Sequence, residues 1–166
     1  MASKALTPLA QVKQEIAAQA RAFTSALPNH IPLERFQRTA LTAIQHNPDL
    51  LRQDRHSLFL SLTKAATDGL LPDGREGALV PFKGVVQWMP MVAGVLKKVR
   101  QSGMVANWTA HAVFEKDEFD ILYGDDDRIH HRPYLEGFPG KVTGAYSIVT
   151  FKDGSISKDY MPWWRI

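Results

Sequence analysis

Cysteine is absent from the 166-residue chain. Its absence excludes a disulfide framework, a zinc site with cysteine ligands and a thiol nucleophile. The N-terminus lacks the basic and apolar regions of a secretory signal, and no apolar run approaches the roughly 20 residues that a membrane-spanning helix needs. We therefore expect a cytoplasmic protein with no membrane partner.

Two common catalytic motifs are also absent. The sequence has no glycine-rich phosphate loop ending in Gly-Lys-Ser or Gly-Lys-Thr, which argues against the use of ATP. It has no Gly-x-Ser-x-Gly turn, which presents the nucleophile in many hydrolases. We expect neither catalytic residues nor a cofactor.

Acidic side chains are missing from one segment of the chain. Residues 77–103 carry four basic residues and no acidic one, whereas residues 104–140 carry three basic and eight acidic residues. The net charge is only +3. Such a distribution allows a polyanion to bind one face. Solvated faces whose charges average out explain the distribution equally well.

The first third of the chain has the pattern of three amphipathic helices. Thr7-Pro8 is a start signal for the first, which extends to about Leu27. The second begins near Pro32. The third runs from Asp54 as N-cap to Asp68, with Gly69 in the position that follows a helix end.

The remainder alternates as strands do. Two β-rich runs flank Lys83-Gly84 and predict a hairpin. Pro90 then starts a helix, which should direct Met91, Val95 and Val99 inward. Four more runs are strand-like. Between them we expect residues 124–140 to form a loop, because this segment has no apolar period and many turn residues.

These elements predict an α+β fold, in which N-terminal helices precede a mostly antiparallel sheet with a β-hairpin–helix unit. We expect one domain over residues 1–166, helical to about residue 69 and sheet-forming from about residue 70. Trp163 and Trp164 close the last strand and need cover. Either they pack under the helices, or the natural domain continues past Ile166.

The run "YGDDDRIHHRPY" (residues 123–134) has the residue types of a metal site. A metal-dependent nuclease would use the side chains of Asp125, Asp126, Asp127, His130 and His131. The spacing argues against this reading, because no helical His-x-x-x-His frame orients the ligands, and Asp and Gly are what a turn prefers.

A longer pattern resembles the RecT family of phage and prophage single-strand annealing recombinases. It comprises "GLLPDGREGALVPF" (residues 69–82) followed by "VVQWMPMVAGVLKKVRQSG" (residues 85–103). The similarity extends upstream to about residue 22, and downstream to about residue 161 through "VFEKDEF" and "KVTGAY". The resemblance therefore covers most of the chain in collinear order.

This resemblance implies ATP-independent binding of single-stranded DNA and pairing of complementary strands through an annealed duplex intermediate. It implies a homo-oligomer, as a ring or helical filament, which works beside a phage exonuclease. Family members continue with a further tail, to which contact with the host single-strand-binding protein is attributed. We expect that tail to be absent from this chain, so an α+β domain that has lost annealing stays a second alternative beside the nuclease.

Annealing requires cations for phosphates and flat side chains for bases. For Trp88 we prefer core packing over base stacking, and for Arg75 a bond to Asp73 or Glu76 over phosphate contact. Lys97 and Lys98 fit phosphate contact or the helix dipole equally well. The candidate DNA-binding residues are Arg75, Lys83, Gln87, Trp88, Lys97, Lys98, Arg100, Arg128, His131, Arg132, Lys141, Lys152 and Lys158.

Overall fold

A computed structural model describes residues 7–165. The helices are α1 (Pro8–Ala18), α2 (Ala20–Ala26), α3 (Leu33–His46), α4 (Arg55–Asp68) and α5 (Val92–Ser102), with 3₁₀ helices at Pro48–Arg52 and Trp163–Arg165. The strands are β1 (Gly77–Phe82), β2 (Val85–Pro90), β3 (Val105–Phe114), β4 (Glu118–Leu122), β5 (Arg128–Arg132), β6 (Val142–Phe151) and β7 (Ile156–Pro162). All strand pairs are antiparallel. This order confirms the predicted α+β class.

The chain forms two compact units, which divide between Lys98 and Val99. The first holds α1 to α4, the β1–β2 hairpin and most of α5. The second holds a three-stranded sheet in the order β3-β6-β7 and the β4–β5 hairpin. Among residues 7–165, no helix combines the length and apolar character needed to cross a bilayer.

Helix α1 begins at the predicted Thr7-Pro8 signal, and α4 begins and ends at the predicted Asp54 and Gly69. The Thr7 hydroxyl accepts a hydrogen bond from the Ala10 N–H, and the Asp54 carboxylate accepts one from Ser57 N–H at 2.7 Å. Gly69 ends α4 with φ of +67°, which glycine adopts without strain. The first predicted helix is divided at Gln19 into α1 and α2. The core between the helices includes the ring pair Phe23–Phe36.

The β1–β2 hairpin has the predicted two-residue turn. Lys83 and Gly84 have φ of +48° and +84°, as a type I′ turn requires at both positions. The hairpin is fixed to α4 because the backbone N–H and the carbonyl of Val86 both form hydrogen bonds with side chains of that helix. Ser57 Oγ accepts from the Val86 N–H, and Ser61 Oγ donates to the Val86 carbonyl, each at 2.8 Å. One face of the hairpin is therefore buried and the other is not.

Helix α5 is rotated relative to the prediction. Val95 was expected to point inward but is 48% exposed, and the buried residue of the helix is Gly94. A Cβ built on Gly94 would lie 2.0 Å from the Glu76 carbonyl oxygen. The missing side chain lets the helix backbone approach that carbonyl, and this contact turns Val95 toward solvent.

In the second unit, residues Arg128–Arg132 form strand β5, so the prediction that all of residues 124–140 form a loop is wrong. Residues Arg128–Arg132 pair with β4, and Phe119 lies opposite His131. Turn residues before β5 and prolines after it concealed a short alternating strand. Trp163 and Trp164 are 58% and 82% exposed.

Candidate nucleic-acid interface

The outer face of the β1–β2 hairpin is exposed and apolar. Phe82 is 51% exposed and Met89 is 47% exposed, and the exposed Gln87 lies between Val85 and Met89 on the same face of β2. Lys83 extends this surface at the hairpin tip, where its Nζ lies 5.2 Å from the centre of the Phe82 ring. A flat apolar surface ending in a cation fits the bases and phosphates of a single strand.

Trp88 lies on the opposite, packed face of the hairpin. Its indole N–H donates to the Asp68 carboxylate at 2.7 Å. The ring also covers Gly77 so closely that a Cβ there would lie 2.1 Å from it. These contacts support the preferred structural role for Trp88.

The loop before β1 presents Arg75 to solvent. Asp73 Oδ1 accepts hydrogen bonds from the backbone N–H groups of Arg75 and Glu76, each at 2.8 Å. Arg75 was expected to fix this loop through its side chain. The backbone does so instead, because the Asp73 carboxylate reaches the two following N–H groups. Within residues 7–165 the Arg75 guanidinium has no ion-pair partner.

Lys97 is engaged inside the first unit. Its Nζ donates to both carboxylate oxygens of Glu76, at 2.9 and 2.8 Å, and Glu76 also accepts the Leu71 N–H at 3.0 Å. The pair ties α5 to the loop before β1. Lys98 makes a looser contact of 3.5 Å with Asp68, and its side chain is 51% exposed.

Helix α3 adds two cations that the sequence reasoning missed. A cavity of about 270 Å³ is lined by Thr39, Thr42 and His46 of α3 and by Pro72–Gly74. Arg35 and Arg38 stand one helical turn before the two threonines, so they lie along the cavity side of the helix. Both arginines are exposed. The signal that could have found them is their spacing of three on a helix.

The second unit brings Arg100 against an aromatic ring. The Arg100 guanidinium carbon lies 5.8 Å from the centre of the Trp108 indole, and the two side chains line a cavity of about 290 Å³. Trp108 is half-buried and Arg100 is exposed. Lys152 donates its backbone N–H to the Met104 carbonyl at 2.8 Å, so it lies beside the turn between α5 and β3. Its side chain is exposed.

His131 is buried in a hydrogen-bond network that fixes β5. Its Nε2 lies 3.0 Å from Asp117 Oδ2 and its Nδ1 lies 3.2 Å from the Tyr146 hydroxyl. Only 6% of the His131 side chain and 1% of the Asp117 side chain are exposed. Phe119 stacks on the Tyr146 ring at 5.9 Å. His131 therefore fixes the strand rather than facing solvent.

The same network shifts two pKa values. The backbone N–H of Tyr134 is the largest influence that lowers the pKa of Asp117 below its ordinary value, with Phe114 N–H and His131 acting in the same direction against the effect of burial. Burial raises the pKa of the Tyr146 hydroxyl. Both shifts favour the protonation states present at neutral pH.

The remaining basic side chains of the second unit differ in their exposure and in their bonds to other residues. Arg128 and Lys141 are exposed. Arg132 lies 3.9 Å from Glu118 with both side chains largely exposed, so this pair is weak. Lys158 is half-buried and donates to the Asp127 carbonyl. Arg128 and Lys141 are therefore the more accessible to phosphate.

The Asp-rich run forms a turn. The Asp127 carboxylate accepts the Gly124 N–H at 2.7 Å, which closes the turn between β4 and β5. His130 and His131 point to opposite faces of β5, because neighbours on a strand alternate. Among residues 7–165, no three His, Asp or Glu side chains stand close enough together to hold a metal ion.

A family model described as the RecT family matches residues 34–163. The chain belongs to the RecT family. It is also 33% identical over 147 residues to Protein RecT of Escherichia coli (strain K12), an alignment that covers 82% of this chain and 54% of that protein. The chain thus spans about half the length of that relative. The RecT match runs from α3 to the end of β7 and includes every predicted DNA-binding residue.

Proposed function

We propose that this chain binds single-stranded DNA and pairs complementary strands without ATP, as an oligomer in phage-type recombination. Membership of the RecT family carries the proposal. The surface supports it, because the first unit offers an apolar hairpin face with Lys83 at its tip and the exposed guanidinium of Arg75, which forms no ion pair with any residue from 7 to 165.

The contacts divide the candidate residues into two groups. One group is exposed and free to meet phosphate or base, and the other already holds the fold together. The exposed group is Arg75, Lys83, Gln87, Arg100, Arg128, Lys141 and Lys152. The engaged group is Trp88, Lys97, Lys98, His131 and Lys158. The exposed Arg132, whose pair with Glu118 is weak, belongs to the first group. We assign DNA contact to the first group and add Arg35 and Arg38 of α3 to it.

Pairing of two strands needs no covalent step. The protein must neutralise phosphate repulsion and keep bases unstacked and presentable, which cations and flat side chains do. A partner must supply single-stranded ends, and a phage exonuclease has the required activity. The network around His131 is nearly closed to solvent, so its Tyr-His-Asp order serves the fold rather than catalysis.

The proposal predicts faster pairing of two labelled complementary oligonucleotides when the full chain is added without ATP. The reaction is run with and without EDTA, and the products are separated on native and denaturing gels. Accelerated pairing of intact strands under both conditions supports annealing. Strand scission that EDTA abolishes would favour the nuclease alternative, and neither pairing nor a gel shift would favour a domain that has lost annealing.

A further inference from the structure

Arg100 and Trp108 face a cavity within the second unit that the family comparison does not assign. The cavity of about 290 Å³ is also lined by Val99, Val105 and Asn107. With Ala106, which also lines the cavity, its walls comprise one aromatic ring, one guanidinium, three aliphatic side chains and one amide. These are the residue types that receive a planar heterocycle with hydrogen-bonding edges.

The local fold keeps this cavity open. Helix α5 ends at Ser102, and Gly103 with φ of +69° turns the chain into β3. The pairing of β3 with β6 then shifts register between Val105 and Asn107. Such bulges re-aim side chains and recur beside functional sites. The bulge interrupts the regular alternation of side chains along β3 between Val105 and Asn107.

We propose that this cavity binds one unstacked nucleobase of a single strand, stacked on the Trp108 indole and covered by the Arg100 guanidinium. The inference rests on the proposed function and names a base subsite within it. The Asn107 side chain is exposed and offers both a donor and an acceptor to a base edge. Lys152 lies beside the α5–β3 turn, where its backbone N–H bonds to the Met104 carbonyl, and we assign its exposed side chain to the phosphate of the same nucleotide.

The dimensions fit one base with its sugar and phosphate outside. A base between two flat groups needs two stacking layers of about 3.4 Å each, or about 7 Å. The Arg100 guanidinium carbon lies 5.8 Å from the centre of the Trp108 ring, so the exposed guanidinium must move outward to admit a base. The cavity volume is at the small end of ligand sites, which suits a base better than a whole nucleotide.

The experiment compares two oligonucleotides of equal length and charge, one of thymidines and one of abasic nucleotides. The ratio of their dissociation constants isolates what the bases contribute. For the full wild-type chain this ratio should exceed about tenfold. Trp108→Leu should reduce it by about fivefold or more, because one stacked base contributes on that order. Trp108→Phe should retain part of the effect.

Three matched variants define the roles. Arg100→Lys keeps the charge but loses the planar guanidinium. It should therefore lower the ratio of the two dissociation constants while preserving the salt dependence of binding. Lys152→Ala should weaken binding of both oligonucleotides equally. Trp164→Leu removes an exposed tryptophan outside the cavity and should leave the ratio unchanged. Circular dichroism and thermal unfolding check that each variant folds.

An unchanged ratio in folded Trp108→Leu and Arg100→Lys would overturn the inference and leave the proposed function standing. Thymidine monophosphate that binds as tightly as the oligonucleotide would overturn the assignment to a strand, since the cavity would then serve a free nucleotide. A wild-type chain that binds neither oligonucleotide would overturn the proposed function and this inference with it.

Discussion

Lys97 and Glu76 show how one ion pair removes a candidate from a binding surface. The lysine side chain is 26% exposed and the carboxylate 20% exposed, and two oxygens share one ammonium. Lysine bound in this way loses part of its attraction for phosphate, because its charge is already neutralised nearby. Charge counting along the sequence could not distinguish it from Arg75, whose guanidinium is free among the described residues.

Lys97→Ala should lower the free energy of unfolding by about 1–3 kcal/mol, because Glu76 keeps its charge and loses its partner. The salt dependence of DNA binding should stay unchanged. Urea unfolding and binding at several salt concentrations measure the two effects. Lys98→Ala is the control, and its loss should be less than about 1 kcal/mol because that pair is exposed. A flatter salt dependence in Lys97→Ala would show that Lys97 meets phosphate.

Asp117 makes the second unit sensitive to acid. Its folded pKa lies below the ordinary value of 3.8, so its contribution to stability is present above that pH and is lost as pH falls through the folded pKa. Unfolding followed from pH 7 down to pH 2 should show this loss in wild type. Asp117→Asn should be less stable at pH 7 and should lack that part of the acid dependence.

The control for Asp117 is Asp120→Asn, because Asp120 is exposed on β4. Its acid profile should match that of wild type. Identical profiles for Asp117→Asn and wild type would show that the network around His131 does not stabilise the unit. Tyr146 affects stability at high pH. Because its pKa is raised above the ordinary value of 10, its contribution to the free energy of unfolding is lost as pH rises above that value.

At the scale of elements, the strands and the turn of the β1–β2 hairpin were predicted from the sequence. Alternation, the Lys83-Gly84 turn and strand length are local properties, and each can be read from neighbouring residues. Which face is packed is not local. Ser57 and Ser61 of α4 decide it by bonding the backbone of Val86, and this leaves Phe82 and Met89 exposed.

Lys83→Ala should reduce the salt dependence of single-strand binding by about 0.7 in the slope of log affinity against log salt, as expected for one phosphate contact. The affinity should fall for every sequence alike. Binding to a thymidine oligonucleotide at four salt concentrations measures the slope. Lys13→Ala, an exposed lysine on α1 outside the family match, is the matched control. Equal slopes for both variants would place Lys83 off the strand.

Strand β5 marks where element prediction fails. Ile129 and His131 alternate with exposed residues, but five residues between a triple aspartate and a proline give too little periodicity to outweigh turn signals. Pairing with β4 and the bonds of His131 to Asp117 and Tyr146 stabilise the strand. Those partners are 14 and 15 residues away in the chain, beyond any local pattern.

At the scale of the whole molecule, we expect assembly on DNA. Many weak contacts along one strand gain affinity when neighbouring subunits bind together. Exposed apolar residues of the first unit, such as Val92 and Val95, support further contacts between copies. Negative-stain images of the chain with a long single strand should show rings or filaments. Particles that stay monomeric with DNA would contradict this part of the proposed function.

The sequence by itself determined the helix caps, the hairpin turn, the α+β class and the resemblance to the RecT family. These depend on local spacing or on motifs in collinear order, and both are properties of the chain alone. Only the tertiary structure decided which cations are free, because an ion pair such as Glu76–Lys97 joins residues 21 apart. It also decided that Trp88 packs on Gly77 while Trp108 faces an open cavity. Burial depends on what lies opposite a side chain, and that neighbour is supplied by the fold.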